Sequence, residues 1–197
     1  MKNTIKIVLT LALCCIAFIQ QGAAQQKSHI YVGYGVASAD DIGNELADII
    51  VTAISGGTVT TANASYSGVI FAGYRTYVTP KLEVGGTVIY EHASRDVFVN
   101  GKADGSVSTD SYGLLAELKY NYINRSRFRL HSGIGAGMAH SSVSADNEDH
   151  DINEDETNSF AYQVDAIGAT FGDRFSLSVN LGFGYKGVVN AGLAYGF

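Results

Sequence analysis

Apolar and polar side chains alternate along the last two dozen residues of the chain. From residue 175 onward, one face carries Phe175, Leu177, Val179, Leu181, Phe183 and Tyr185. The opposite face carries Ser, Asn, Gly and Lys186, and the same alternation returns from Val189 to Phe197. Successive side chains of a β-strand point to opposite sides, so each run predicts a strand with one apolar and one polar face.

Eight segments of the chain show this period of two. They are residues 28–37, 64–78, 81–92, 111–123, 126–140, 159–171, 174–186 and 188–197. Each is close to the ~9–11 residues that a tilted strand needs to cross a bilayer. The connections alternate in length, with short turns near residues 79–80, 124–125 and 172–173. The other connections are long and polar, at 38–63, 93–110 and 141–158, apart from a short one at 186–187.

These features together predict an all-β fold. An even strand number and alternating loop lengths are typical of a transmembrane barrel. We therefore predict an eight-stranded antiparallel up-and-down transmembrane β-barrel. A soluble β-sandwich, whose strands also alternate, is the alternative.

Hairpin geometry predicts which residues lie opposite one another. The turn after Thr76 would place Arg75 opposite Glu83, which predicts an ion pair inside the barrel. In the hairpin that turns at 172–173, pairing Thr170 with Phe175 keeps apolar residues opposite apolar ones.

Charged residues collect on the polar face of the predicted strands. We interpret this set as a polar network inside the barrel: Arg75, Glu83, Glu91, Glu117, Lys119, Arg127, Arg129, His131 and Asp165. The charges should pair, because an unpaired buried charge costs several kcal/mol. Eight strands enclose an interior that side chains nearly fill, so we expect a plugged lumen. A narrow conduit for small solutes is the alternative, if the network opens.

The N-terminus has the features of a secretory signal peptide. Two lysines precede an apolar stretch over residues 7–19, and small residues follow at 22–24. We predict cleavage after Ala24, which leaves residues 25–197 as one barrel domain. Both cysteines of the chain lie in the removed segment, so we expect neither thiol nor disulfide. Acylation of one of them, as in a lipoprotein, is the alternative.

The charge of the chain limits its partners. The net charge is −6, and loss of Lys2 and Lys6 with the signal peptide changes it to −8. An acidic protein repels phosphate, so nucleic-acid binding is not expected. The sequence contains no phosphate-binding glycine loop, zinc motif or nucleotide fingerprint, so we expect no cofactor.

The chain resembles the small eight-stranded barrels of bacterial outer membranes, of the OmpA and OmpX type, and the outer membrane protein β-barrel domain family. The resemblance rests on alternation over the whole mature chain, on tyrosines at the ends of the apolar rows, and on the ending at 192–197. It implies a monomer in the outer membrane of a Gram-negative bacterium, in contact with lipid and lipopolysaccharide. It also implies that Tyr195 and Phe197 form the signal for the barrel-assembly machinery.

Two of the long connections have their own patterns. Residues 39–55 carry apolar side chains at helical spacing and predict a short amphipathic helix in the first external loop. Residues 146–156 contain seven carboxylates, Asp146, Glu148, Asp149, Asp151, Glu154, Asp155 and Glu156. Such oxygen ligands suit calcium or magnesium, but the spacing is not that of an EF-hand. A solvated acidic loop is the simpler interpretation.

We expect no enzymatic activity, and a structural or surface-interaction role through the external loops, toward a host or neighbouring surface protein. The alternative is a lipid A-modifying enzyme. His140, Ser142 and Glu154 resemble in spacing the catalytic triad of outer-membrane lipid A deacylases. Such a triad would activate the serine for attack on an ester.

Overall fold

The computed structural model describes residues 28–42, 59–99, 102–146 and 155–197. Eight strands follow in chain order: β1 (Ser28–Val36), β2 (Val59–Tyr77), β3 (Leu82–Val99), β4 (Lys102–Arg125), β5 (Phe128–Asp146), β6 (Asp155–Gly172), β7 (Phe175–Gly184) and β8 (Val189–Gly196). Each strand pairs antiparallel with its neighbours in sequence, and the sheet closes into a barrel. The predicted eight-stranded up-and-down barrel is therefore confirmed.

The barrel closes where the first strand meets the last. β1 pairs with β8 from His29 opposite Gly196 to Val36 opposite Val189. Backbone hydrogen bonds join Ser28 and Phe197 in both directions, at 3.0 and 2.9 Å. Closure removes the sheet edges that would otherwise leave peptide groups unpaired in lipid. In the described part of the chain, no helix has the length and apolar character needed to cross a membrane.

The surface of the barrel is apolar, and its interior is largely polar with a smaller apolar cluster that includes Phe71, Ile89 and Leu115. Large apolar side chains on the outside are strongly exposed, among them Val88, Leu114, Ile134, Met138 and Leu193. The alternate positions carry buried polar or charged groups, as at Glu117 between Ala116 and Leu118. This is the reverse of a water-soluble domain, and it suits a wall between hydrocarbon and a polar lumen.

Aromatic side chains form two rings around this surface. Near the short turns and the chain ends lie Tyr74, Tyr120, Tyr122, Phe171, Phe175, Tyr195 and Phe197. Toward the opposite end lie Tyr34, Tyr90, Tyr112, Phe160 and Phe183. On β4, Tyr112 and Tyr120 are separated by about 27 Å of strand, or roughly 20 Å after a tilt of about 40°. The two rings therefore bound a band close to the apolar thickness of an outer-membrane barrel.

The tight turns lie where the sequence predicts them, but the long connections do not. The only proline of the chain, Pro80, lies in the turn between β2 and β3. The predicted loops at 93–110 and 141–158 are instead mostly strand, because β3 to β6 continue well past the upper aromatic ring. These extensions carry mostly polar and small residues, and the apolar residues Val97, Phe98 and Val99 are consecutive, so the apolar alternation that marks a lipid-facing strand is absent there.

Two predicted registers are wrong. Arg75 lies opposite Gly85, and Glu83 lies opposite Tyr77. In the last long hairpin, Thr170 pairs with Ser178, not with Phe175. The register shifts between Asp165 and Ile167. Because of this shift, Thr170 below it and Asp165 above it both point into the barrel. Such a bulge adds one residue to one strand, and alternation alone does not reveal where it falls.

Tyr185 is a second departure from simple alternation. It was expected on the lipid face, but only 8% of its surface is exposed. β7 ends at Gly184, whose φ of 136° is accessible to glycine and strained for other residues. The chain turns inward there, and both Tyr185 and Lys186 enter the mouth of the barrel.

Candidate functional site

The barrel interior holds eight of the nine residues predicted for it. Glu83, Glu91, Glu117, Lys119, Arg129, His131 and Asp165 are buried, and the Arg75 side chain is 14% exposed. Arg127 is the exception, because it lies in the turn between β4 and β5 and is exposed. The alternation was extended one residue too far into that turn, where side-chain direction no longer follows the pleat.

Glu117 is the centre of the interior network. Its Oε2 accepts hydrogen bonds from Arg75 Nη2 at 2.7 Å and from the Tyr31 hydroxyl at 2.7 Å. Its Oε1 lies 2.6 Å from Lys186 Nζ. The Arg75 guanidinium also lies 4.0 Å from the centre of the Tyr31 ring. Charge-assisted bonds of this kind tie β1, β2 and β4 to the β7–β8 connection across the lumen.

Lys186 links this centre to a second carboxylate. Its Nζ donates to Asp165 Oδ2 at 3.2 Å, and its backbone N–H donates to Gln163 Oε1 at 2.8 Å. Only 1% of its surface is exposed. The alternation places Lys186 on the polar face at the end of the predicted segment 174–186, but the predicted network did not include it. In the structure it lies beyond the end of β7, in the short connection to β8.

The described interior holds cations and carboxyl groups in similar numbers. The cations are Arg75, Lys119, Arg129 and Lys186, and the carboxyl groups are those of Asp41, Glu83, Glu91, Glu117 and Asp165. Lys119 lies directly opposite Glu83 across β3 and β4. Pairing of opposite charges makes the burial of so many ionised groups tolerable in a medium of low dielectric constant.

The end of the lumen near the short turns is closed by a second cluster. Arg129 donates to the Tyr77 hydroxyl and to Ser176 Oγ, each at 3.2 Å, and lies 3.3 Å from His29 Nε2. Nearby, Asn121 Nδ2 donates to Glu83 Oε1 at 2.7 Å. Both ends of the network are therefore anchored to opposite walls of the barrel.

Little space is left between these side chains. A cavity lined by Arg75, Glu117, Lys119, His131 and Asp165, among others, has a volume of about 10 Å³. That is about the space needed for one water molecule. The arrangement can hold the wall rigid, but it leaves no room there for a solute.

The opposite mouth is covered by the chain that follows β1. Ala37 adopts a left-handed conformation with φ of 57°, and residues 39–42 are helical. Ser38 and Asp41 cap this turn reciprocally, since the Ser38 N–H donates to Asp41 Oδ2 and the Asp41 N–H donates to Ser38 Oγ. The Ser38 hydroxyl donates to Glu91 Oε1 at 2.8 Å. We call residues 37–42 the cap; the predicted helix beyond residue 42 lies outside the described residues.

Asp40 in the cap also reaches the mouth. Burial raises the pKa of its carboxyl above the usual range, while hydrogen bonds from Tyr185 and Ser111 act in the opposite direction. Burial likewise raises the pKa of Tyr185. Three carboxyl groups, on Asp40, Asp41 and Glu91, thus crowd one end of the lumen.

Comparison with known proteins agrees with this architecture. The model of the outer membrane protein beta-barrel domain family matches residues 8–196. The chain belongs to this family.

Two solved structures are similar to this family member. The N-terminal β-barrel domain of Pseudomonas aeruginosa OprF has 11% identity and a TM-score of 0.41, over 88% of this chain and 100% of that one. Ail, the attachment invasion locus protein of Yersinia pestis, was solved with the heparin analogue sucrose octasulfate. It has 13% identity and a TM-score of 0.43, over 87% of this chain and 96% of that one. A search of curated proteins found no match.

The residues of the enzyme alternative lie on the outer face of this outer-membrane family barrel. His140 Nδ1 lies 3.1 Å from Asn158 Oδ1, which is its cross-strand neighbour. Ser142 is on the same face of β5, and no hydrogen bond joins it to His140 in the described structure. Glu154 lies outside the described residues. Among the described residues, His140 therefore pairs with Asn158 and not with Ser142, and the position of the third predicted member is not described.

The metal-binding prediction for the acidic segment is largely untested. Residues 147–154 lie outside the described part of the chain. Among the residues that are described, no group of three or more His, Cys, Asp or Glu side chains is placed to hold a metal ion.

Proposed function

We propose that this protein is a non-enzymatic barrel of the cell outer membrane that contacts molecules outside the cell through strands projecting above the lipid. The strands beyond the upper aromatic ring form a sheet that we call the external wall. It comprises residues 59–68, 91–99, 102–111, 141–146 and 155–160. Long connections of outer-membrane barrels face the outside of the cell, which supports the same orientation here.

The observation that carries the proposal is the unequal length of the strands. β2 to β6 have 18 to 24 residues, whereas β1, β7 and β8 have 8 to 10. On β4, residues 102–111 alone add roughly 30 Å of strand at about 3.3 Å per residue. A span of the membrane needs far less, so the extra length supports a role outside it.

The external wall has two open edges. Pairing of β1 with β2 ends at Gly35 opposite Val69, and pairing of β6 with β7 ends at Gln163 opposite Gly184. Within the described residues, no strand pairs with the outer side of β2 over 59–68 or of β6 over 155–162. Peptide groups on such edges are available to an extended segment of another molecule.

Neither alternative function has comparable support. A conduit would need a lumen wider than the cavity of about 10 Å³ among the central ion pairs. A lipid-modifying enzyme would need a base at the nucleophile, and His140 hydrogen-bonds to Asn158 and not to Ser142.

A trimmed barrel tests the proposal. In this variant, residues 95–107 and 143–155 are each replaced by Asn-Gly, which joins Ser94 to Ser108 and Ser142 to Glu156. Each pair lies directly opposite in its hairpin, so a two-residue turn fits. The control replaces residues 126–127, in the turn at the opposite rim, by Asn-Gly.

Bacteria that express the full chain should adhere to an extracellular-matrix coating, or to one another, more than cells without it. The trimmed barrel should lose this adhesion while migrating as a heat-modifiable barrel on gels, and the control should retain both properties. Equal adhesion by the full and trimmed chains would refute a role for the external wall. Ion conductance in planar bilayers, or lipid ester hydrolysis abolished by Ser142→Ala, would replace the proposal with one of the alternatives.

A further inference from the structure

A groove lies on the outer rim of the barrel, between the end of β1, the cap and the upper part of β2. Its volume is about 260 Å³. The lining residues are Tyr34, Val36, Ala37, Asp41, Ile42, Tyr66 and Gly68. This space is far larger than the interior cavity of about 10 Å³, which is about the space for one water, so the groove is too large for one small ion and suits an organic group.

The groove is mostly apolar at its outer end and acidic at its inner end. Tyr34 and Val36 are the last outward-facing residues of β1 and are 48% and 45% exposed. Both belong to the lipid-facing surface, and Ile42 adds an apolar side chain from the cap. The groove therefore begins in the apolar band and ends at the level where the cap covers the mouth.

Asp41 provides an unused hydrogen-bond acceptor at the inner end. Only 6% of its surface is exposed. Its Oδ2 accepts from the Ser38 N–H at 3.1 Å, but its Oδ1 accepts from no donor in the described structure. A buried carboxylate oxygen without a donor is unfavourable, so its position in the wall of a groove indicates a ligand with a donor.

The surrounding charges favour a positively charged ligand. The Glu91 carboxyl hydrogen-bonds to that of Asp41, and burial together with this contact raises the pKa of Glu91 to about 8. Asp40 is a third acid at the same mouth, and burial raises its pKa as well. A cation bound beside these groups would favour their ionised forms. No Lys, Arg or His side chain forms an ion pair with any of these three within the described residues, whereas Glu117 and Asp165 are both paired with Lys186. The mouth differs in this respect from the centre of the lumen, where cations contact Glu117 and Asp165.

We propose that this groove binds a lipid of the outer membrane whose headgroup carries a primary ammonium, with the ammonium at Asp41 Oδ1. A primary ammonium offers three N–H donors and a positive charge, so it would supply a donor to Asp41 Oδ1 and a counter-charge to the three carboxyl groups. The glycerol and the first acyl carbons lie along Val36, Tyr34 and Ile42. A bilayer supplies such a molecule directly beside the opening, because the outer end belongs to the lipid-facing surface.

Retention of defined lipids by the full-length barrel tests this site. The purified protein in detergent is incubated with dihexanoyl phosphatidylethanolamine, phosphatidylcholine or phosphatidylglycerol, and the bound lipid is measured by native mass spectrometry. The ethanolamine lipid should be retained most. The choline lipid has the same charge but no N–H donor, and the glycerol lipid has neither.

Three variants locate the site. Asp41→Asn removes the charge and should weaken retention of the ethanolamine lipid by at least about tenfold, to the level of the choline lipid. Glu156→Gln changes an exposed carboxylate on β6 and should change nothing. Val36→Trp leaves Asp41 intact, fills the groove from its exposed side and should abolish retention.

The outcomes separate clearly. Heat-modifiable migration shows that each variant is a folded barrel before its lipid binding is compared. Equal retention of the three lipids by the natural chain would overturn the proposal, as would undiminished binding by the folded Val36→Trp variant. The result is independent of adhesion through the external wall, because Asp41→Asn and Val36→Trp lie outside the wall, and Glu156→Gln, which lies within it, serves only as the control.

Discussion

Lys186 and Glu117 form an ion pair across the lumen, with Nζ 2.6 Å from Oε1, although 69 positions separate them in the chain. Lys186 comes from the connection between β7 and β8, and Glu117 from the middle of β4. Arg75 also binds Glu117 and Asp165 also binds Lys186, so the pair joins opposite walls of the barrel. We expect this contact to dominate the stability of the interior.

Loss of the Lys186 ammonium should destabilise the barrel strongly. Lys186→Met keeps the chain length but leaves Asp165 without its cationic partner and Glu117 with one cation fewer. Breaking a buried pair in this way costs about 3–5 kcal/mol. Urea unfolding in lipid vesicles, followed by gel migration, measures the change. Lys81→Met in an exposed turn is the control and should alter stability by less than about 0.5 kcal/mol. Equal effects of the two substitutions would contradict a central role for Lys186.

The partner of Arg75 can be identified by a double-mutant cycle. Arg75→Met and Glu117→Gln should show a coupling energy of about 1–3 kcal/mol, because the two side chains are in direct contact. The cycle of Arg75→Met with Glu83→Gln should give a smaller value, since Glu83 hydrogen-bonds to Asn121. A larger coupling with Glu83 would favour the register expected from the turn alone.

Glycines in the barrel wall should differ sharply in their tolerance of a methyl group. A Cβ at Gly137 would overlap the carbonyl oxygen of Leu114, which is backbone and cannot move aside. A Cβ at Gly86 would have its nearest neighbour, the Leu115 carbonyl oxygen, at 3.6 Å. Gly137→Ala should therefore impair folding or shift the pairing of β4 and β5, and Gly86→Ala should fold normally. Refolding yield into vesicles measures the difference. Normal folding of both variants would contradict a close approach of β4 and β5 at Gly137.

The assembly signal at the C-terminus can be separated from stability. The Phe197 side chain is 60% exposed and its ring lies 6.4 Å from that of Tyr195, whereas the strand is held by backbone bonds to Ser28. If Phe197 and Tyr195 are read by the assembly machinery, Phe197→Ala should lower the amount of protein in the outer membrane several-fold. Refolding of the purified variant into vesicles should remain near normal.

Phe160→Ala is the matched control for that experiment, because Phe160 is also aromatic and is 68% exposed on the barrel surface. It should leave the amount in the outer membrane close to that of the natural chain. If both variants reach the membrane equally, the terminal ring has no special part in assembly.

The sequence by itself determined the strand count, the tight turns and the face on which most side chains lie. These follow from a period of two, which any stretch of strand between two different solvents must show, as at Leu114, Leu118 and Glu117. Most of the interior charges could be predicted from the same alternation, since a charged side chain on the lipid face costs free energy.

Only the tertiary structure decided which charges meet, how far the strands project and how the mouth is covered. Registers shift at bulges such as that between Asp165 and Ile167, and the pairing of Arg75 or Lys186 with Glu117 depends on the curvature of the closed sheet. The projecting strands lack a lipid face, so their sequence carries no alternation. Tyr185 and Lys186 turn inward because Gly184 adopts a positive φ, which the alternation of apolar and polar residues does not reveal. Contacts across a lumen are non-local, and the pattern along one strand cannot contain them.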